Sequence, residues 1–432
     1  MKSWALDIFK ESLKSAHPSV LLNKKLSVLE GNNIRIDSDL IADSNIIKLI
    51  SFGKAGGSMG EAFLDIVGYE NVSEGIIVSP EHSPEPNIKG SHIQTMYSTH
   101  PFVSEKSVIA GDAILKFSER CIAKETVFCL VSGGGSALIA SPIAGINVNE
   151  KIKLINNLLK MGIGEREVNI IRKKLSKIKG GSLAEKIYPA RLVNLILSDE
   201  RAHQLEAIAS GPTVKNTSNI TAEKIINDHQ IWDYIPEKMH SIFYDNKTDE
   251  TKPYPKIDSY VIGSREDVLK RMKNVAVDNQ LTSISILADY YDHDINNVKN
   301  ELISHYSNFY RRAKSGRHLI VASGEVPIKV KSNHGKGGRN QHLAALMIEE
   351  LKFFNNFEFL AIASDGCDFL NGVHGALIKD EQIEKTNSVS INVNDYINNY
   401  NSYELHEKIG SLIKGSITGT NVNDFYLFYF EK

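Results

Sequence analysis

The sequence predicts an α/β protein of two domains, and three observations carry that prediction. Short apolar runs alternate with glycine turns and amphipathic stretches, the written form of strand–helix–strand units in a mostly parallel sheet with helices on both faces. Glycines and acids fall directly after the apolar runs, where such sheets carry their ligand loops. A polar, proline-punctuated stretch, residues 236–257, interrupts the rhythm and marks a boundary, giving expected domains over 1–240 and 255–432.

Taken in order, the chain opens on an amphipathic helix with Trp4, Ile8 and Leu13 at helical spacing. "IIKLISFGKAGGSMGEAFLDIV" (46–67) reads as strand, glycine-rich turn and helix. A strand at 75–80 and a helix at 107–121 follow, then "TVFCLVSGGGSALIASP", a strand running into three consecutive glycines. Residues 193–200, "VNLILSDE", form a strand ending in two acids. Past the boundary come a strand at 259–264, a helix from Arg265, a strand at 282–288, a helix over 294–313 and a strand at 317–326. The series closes with the strand and acidic turn of 357–369 and a glycine-rich turn near 415–424.

Composition narrows the function class. Fifty Lys and Arg against 52 Asp and Glu leave a net charge of -2, so no basic face built for nucleic acid is expected. The three cysteines, Cys121, Cys129 and Cys367, lack metal-ligand spacing and read as free thiols of a reducing, cytoplasmic setting. Charges interrupt the N-terminal segment, excluding a secretory signal, and no apolar run reaches the ~20 residues that span a bilayer.

The candidate chemistry lies in the turns. Gly133, Gly134, Gly135 and Ser136 fit neither G-x-x-x-x-G-K-[ST] nor G-x-G-x-x-G, which leaves both close packing and an anion-binding nest open. A following helix would add its positive end to such a nest. Lys54, flanked by glycines just past a strand, can aim its ammonium at phosphate oxygens, although a solvated lysine reads the same way. In "SGEVPIKVKSNHGKGGRNQHLAAL", Glu325 ends a strand, and Arg339 with Asn340 opens a helix after a glycine-rich approach. A guanidinium there can clamp a carboxylate or phosphate on two prongs. Asp199, Asp365 and Asp368 follow apolar strands, placed to bind Mg²⁺, to accept a hydroxyl proton, or merely to cap helices. Asn421, Asn423 and Asp424 in "TGTNVNDF" are either a turn or a polar ligand contact.

In their order along the chain, "FGKAGGSM", "HPFVSEKS", "LVSGGGSAL", "NIIRKKLSKIKGGSLA", "LILSDE", "IASGPT", "GKGGRNQHLAAL", "ASDG" and "TGTNVNDF" resemble the glycerate 2-kinases of the MOFRL type. The resemblance runs from the first helix to the last ten residues. It implies an N-terminal Rossmann-like doubly wound sheet and a C-terminal α/β MOFRL domain, with the active site in the cleft between them. It also implies ATP- and Mg²⁺-dependent phosphorylation of the 2-hydroxyl of D-glycerate to 2-phosphoglycerate. Lys54, Asp199, Glu325, Arg339, Asp365 and Asn421 match the positions that family uses. On this basis Lys54, Arg339, Asp365 and Asp199 are the expected catalytic residues. Gly133–Ser136, Glu325, Asn340 and Asn421 would bind nucleotide or substrate, and Asp199, Glu325 and Asp365 would hold the metal.

Two loops depart from the family pattern. "SDERAHQLEAIASGPT" carries Arg201, His203 and Gln204 where a glycine and an acid pair are usual. "SDGCDFLNGVHGAL" carries Phe369, Leu370 and Asn371 where glycine, proline and threonine are usual. These departures keep open a kinase of another small hydroxy or sugar acid. An NAD(P)H-dependent hydroxypyruvate reductase and a non-catalytic nucleotide-binding protein are further alternatives. The expected partners are the nucleotide and a small hydroxy acid, with neither nucleic acid nor membrane; a homodimer is one option for assembly.

Overall fold

The computed structural model describes residues 3–29, 33–41, 46–200, 204–215, 220–244, 254–389 and 391–432. Its chain divides into two compact units, residues 21–262 and residues 1–20 with 263–432. No helix among the described residues is long and apolar enough to cross a membrane.

In the unit of residues 21–262, six strands form one sheet: β1 (Ile46–Phe52), β2 (Val72–Pro80), β3 (Ile93–Ser98), β4 (Glu125–Ser132), β5 (Arg191–Leu197) and β6 (Ile257–Gly263). Their spatial order is β3-β2-β1-β4-β5-β6. The pairs β1–β2, β1–β4, β2–β3 and β4–β5 are parallel, as the rhythm of the sequence predicts. All eight residues of β4 are buried, the mark of a central strand covered on both faces. Ile50, Phe52, Ile76, Val78, Val127 and Val131 join Ile114 and Phe117 of α3 (Glu105–Ser118) in one apolar core. Phe63 of α2 (Gly56–Val67) packs its ring 4.9 Å from that of Phe128.

The strand order reverses between β1 and β4. This is the switch point of the doubly wound fold, where loops leaving neighbouring strands diverge and open a crevice at their carboxyl ends. Gly53–Lys54 follows β1 and Gly133–Ser136 follows β4, so both glycine turns lie there.

The other unit also holds a six-stranded sheet, of β7 (Ser283–Tyr291), β8 (Arg317–Gly324), β9 (Phe357–Ala363), β10 (Val373–Lys379), β11 (Leu412–Lys414) and β12 (Asp424–Glu431). Here the order is β7-β8-β12-β9-β10-β11, and only β7–β8 is parallel among the paired strands. The mostly parallel sheet expected for the whole chain therefore gives way to a mixed one. The cause is β12: the chain's last apolar run inserts between β8 and β9 and pairs with both antiparallel. Tyr306, Leu343, Met347, Phe359, Tyr426 and Phe428 centre its core.

The units depart at both ends from the expected 1–240 and 255–432. The first helix, α1 (Trp4–Leu13), belongs with the C-terminal sheet: Glu358 of β9 accepts from Ser3 Oγ at 2.7 Å and from Ala5 N at 2.8 Å. The Phe9 ring lies 5.7 Å from that of Phe425. The two partners stand 355 residues apart; the entropic cost of closing so long a loop grows only logarithmically with its length, and burial of the helix's apolar stripe outweighs it. At the other end β6 closes the N-terminal sheet, where Asp258 accepts from Arg191 Nε and Nη2 at 2.9 and 2.6 Å.

Candidate active site

The two turns at the switch point are zipped to each other. Gly53 has φ +125°, and a Cβ there would lie 2.1 Å from Ser132 Oγ, so only glycine fits. Lys54 N donates to the Gly133 carbonyl at 2.9 Å and Ala55 N to Ser132 Oγ at 3.0 Å. Lys54 is thereby folded over the triplet: a Cβ on Gly134, at φ +78°, would stand 2.8 Å from Lys54 Cγ and 3.0 Å from the His100 ring.

The two readings left open for the glycines divide between them. Gly135 serves packing, since a Cβ there would meet Phe52 and Ala209 below 3 Å. Gly134 serves the approach of Lys54. Ser136 Oγ shares a 2.5 Å hydrogen bond with Ser210 Oγ, in a loop where Ala209 (φ +51°) and Ser210 (φ +65°) both take the left-handed conformation. The expected helix is short: α4 (Gly135–Leu138) is a single turn and supplies little macrodipole. Positive charge at this turn comes from side chains instead. Asp199 stands half-buried two residues beyond β5, the strand beside β4. Residues 201–203 of the divergent loop, with Arg201 and His203, lie outside the described residues.

The second constellation belongs to the other unit. Ser364 and Asp365 follow β9 and are laced to the 418–423 loop. Thr418 N donates to the Asp365 carbonyl at 3.1 Å, Val422 N to Ser364 Oγ at 2.8 Å, and Ser364 N to the Asn423 carbonyl at 3.1 Å. This lacing holds Asp365 and Asn421, 6% and 4% exposed, in one neighbourhood. Cys367 N donates to Asp365 Oδ1 at 2.8 Å.

Arg339 opens α9 (Arg339–Leu351) and is held between two acids. Nε and Nη2 donate to Asp424 Oδ2 and Oδ1 at 2.5 and 3.2 Å, and Nη1 to Glu325 Oε1 at 2.5 Å. Burial works against the guanidinium charge, but Asp424 and Glu325 outweigh it and hold its pKa well above the usual value. Burial, with help from the Glu325 and Asp368 carboxylates, pushes Asp424 up to about 6 against the pull of Arg339.

Three of the expected groups of site residues take these places. The clamp drawn for Arg339 on a substrate is, in this structure, a fork on Asp424, because that buried carboxylate needs a counter-charge more than the solvent-facing side does. Asn340 sets its amide nitrogen against a neighbouring acid. It is fully buried, and its Nδ2 donates to Asp368 Oδ1 at 3.2 Å. Asp368 also accepts from Asn340 N, Gln341 N and Gln341 Nε2, each at 2.9 Å, so it caps the orphan amides of α9 and fixes Arg339 through the backbone. Finally, among the described residues no three His, Cys, Asp or Glu side chains gather to hold an ion.

His100 and His374 were not singled out by sequence as site residues, and Asp424 was named there only as a turn residue or a polar ligand contact. Asp424 stood in a quoted motif, but only the β8–β12 pairing places it opposite Gly324 and next to Arg339. His374 has no motif behind it; its ring would lie 3.1 Å from a Cβ on Gly366, and burial lowers its pKa. Phe369 of the divergent loop takes the left-handed backbone, at φ +64°.

Comparison with known proteins assigns these two halves. Residues 4–244 match the family described as Domain of unknown function (DUF4147), and residues 318–424 match the MOFRL family. The chain belongs to the DUF4147–MOFRL family. Within that family it is 27% identical to a D-glycerate 2-kinase of Thermotoga maritima, over 99% of this chain and 98% of the relative. It is 29% identical to a glycerate 2-kinase of Pyrococcus horikoshii, over 98% and 96%. The crystal structure of the Thermotoga maritima glycerate kinase superposes with a TM-score of 0.80 at 25% identity, covering 99% of this chain and 98% of that one. As a DUF4147–MOFRL protein of this kind, the chain is a phosphotransferase.

Proposed function

We propose that the chain is an ATP-dependent kinase that phosphorylates the 2-hydroxyl of D-glycerate. The observation that carries this reading is Lys54 folded over the Gly133–Ser136 turn at the switch point of a 3-2-1-4-5-6 sheet. Phosphoryl transfer asks for positioning and charge neutralisation more than for covalent chemistry. The 133–136 backbone amides meet nucleotide phosphate oxygens, and Lys54 neutralises charge on the group in transfer. Asp365 and Asp199, each at the end of a strand, are the acids available to orient the acceptor hydroxyl and take its proton. Arg339 lends positive charge, steadied by Asp424.

The family implies Mg²⁺, and the donor set bears on how it is held. The described residues hold no ready cage of three such side chains. They fit an ion carried on nucleotide phosphates, which asks the protein for one or two carboxylates. Glu325, exposed beside Arg339, Asp365 and Asp199 are the groups to supply them. Bound there, the ion neutralises phosphate charge.

The acceptor follows from the relatives' names together with small, polar surroundings at Asp365 and Asn421. The reductase alternative lacks a G-x-G-x-x-G turn. The test is ADP release from ATP and Mg²⁺ with D-glycerate against a panel of other hydroxy acids. The reading expects D-glycerate to give the highest kcat/KM; preference for another acid reassigns the acceptor, and hydroxypyruvate-dependent NAD(P)H oxidation overturns it.

A further inference from the structure

Buried charge in a folded protein is normally met by opposite charge. Two lysines under the Ser136 turn depart from that pattern. Lys179 is 4% exposed, and its ammonium donates to the Ser136 carbonyl at 2.9 Å. Lys151, in the first turn of α5 (Val148–Lys160), is 9% exposed and donates to the Leu175 carbonyl at 2.9 Å. Neither forms an ion pair with a described residue; the charges facing them are each other and the Arg172 guanidinium. Arg172 belongs to α6 (Glu165–Lys174) and donates to Asn169 Oδ1 at 2.6 Å. Lys173, next to it, donates to the Glu206 carbonyl at 3.1 Å.

Apart from Lys151, which lies on the preceding helix, these cations stand in "NIIRKKLSKIKGG", a stretch the catalytic assignment leaves unused. The segment is tied to the turn and to its hydroxyl partner. Lys177 N donates to the Ser141 carbonyl at 2.8 Å, Gly180 N to the Ser210 carbonyl at 3.1 Å, and Gly181 N to the Gly211 carbonyl at 2.8 Å. Burial pushes Lys151 down to about 7 and Lys179 well below its usual value, and the neighbouring cations push the same way.

We propose that Lys151 and Lys179 form a built-in positive floor behind the Ser136–Ser210 hydroxyl pair, and that a phosphate group bound at the turn is the anion that completes it. This rests on the phosphate reading of the turn given above. Lys151 and Lys179 are positioning residues: they act through the carbonyls they hold and through their field, while the turn itself touches the ligand. Without the anion the lysines share a proton deficit. Its arrival favours their charged forms, so ligand binding draws protons from solution.

The test is calorimetric titration of the full chain at pH 7.5 with ADP and, separately, with 2-phosphoglycerate, each in two buffers of different ionisation enthalpy. The expected result is net uptake of about half a proton or more per ligand for one of the two, which also identifies whose phosphate the floor serves. The uptake is expected to vanish in Lys151→Met, and Lys179→Met to weaken that ligand roughly tenfold or more, with both variants still melting cooperatively. If Lys179→Met does not fold, Lys151→Met carries the test alone, through the lost proton uptake. Wild-type binding with buffer-independent heats, or uptake retained in Lys151→Met, overturns the inference and leaves the phosphate turn standing. Wild type that binds neither ligand overturns both.

Discussion

Gly134→Ala separates the two jobs of the glycine turn most cleanly. Gly134 sits at φ +78°, and an alanine there pays about 1–2 kcal/mol for the left-handed conformation, offset by about 0.4–1 kcal/mol of lost freedom in the unfolded chain. The net loss is of order 1 kcal/mol, about 2–4 °C in Tm for a domain of this size. The new Cβ would stand 2.8 Å from Lys54 Cγ, against 3.4 Å for ordinary contact, so the lysine stem must retreat by 0.6 Å (3.4 minus 2.8). Since a displacement of ~1 Å at a reacting group costs ~10²-fold, kcat/KM is expected to fall roughly 10- to 100-fold. Gly145→Ala is the matched control, with φ +82° and nothing within 4 Å of its new Cβ. It carries the same backbone strain without touching Lys54. Initial rates and thermal melts on both variants decide the matter. Equal melting losses with activity lost only in Gly134→Ala support the account; equal activities in the two variants refute the placement of Lys54.

The other expectations follow from single contacts. Lys54→Ala and Arg339→Ala should each remove about 2–4 kcal/mol of transition-state stabilisation, read as a fall in kcat/KM with little change in melting for Lys54→Ala. Asp368→Asn, which sets an amide against the four N–H groups Asp368 accepts, should destabilise the fold by about 3 kcal/mol in urea titration, because α9 loses its charged cap. Lys151 binds fewer protons folded than unfolded between its lowered value of about 7 and the ordinary lysine range. Its contribution to stability therefore rises with pH across that window, and the wild type should gain on Lys151→Met in melts from pH 7 to 9 without phosphate. Burial raises the thiol pKa of Cys129 and pushes that of Cys121 up to about 11, so only half-exposed Cys367 should react quickly with a thiol reagent in the native state.

The Rossmann-like half was legible because its signals are local. Parallel strands buried on both faces write themselves as apolar runs, and the glycines of 53 and 133–135 mark the turns between strand and helix. The C-terminal sheet was less legible. β12 and α1 find their partners at large sequence separation, and no local pattern announces an antiparallel insertion between β8 and β9 or a helix returning to the far end of the chain. Among the acids the types were visible but not the roles. Asp368 and Asp365 follow the same strand three residues apart, yet one closes the amides of α9 and the other stays with Asn421. That difference depends on where α9 docks, which spacing does not encode. Asp424 was hidden for the same reason, since it becomes the partner of Arg339 only when β12 pairs with β8. The pairing of Lys151 and Lys179 with carbonyls rather than acids shows only in three dimensions, because sequence reports a lysine's presence and not its burial.

The central claim is a phosphoryl group delivered from ATP to the 2-hydroxyl of glycerate. Phosphorus NMR of the product formed from ATP, Mg²⁺ and D-glycerate tests it most directly, because the 2- and 3-phosphates differ in their coupling to one or two neighbouring protons. The account predicts the doublet of 2-phosphoglycerate appearing at the rate of ADP; the triplet of the 3-isomer, or ADP formed with neither, contradicts it.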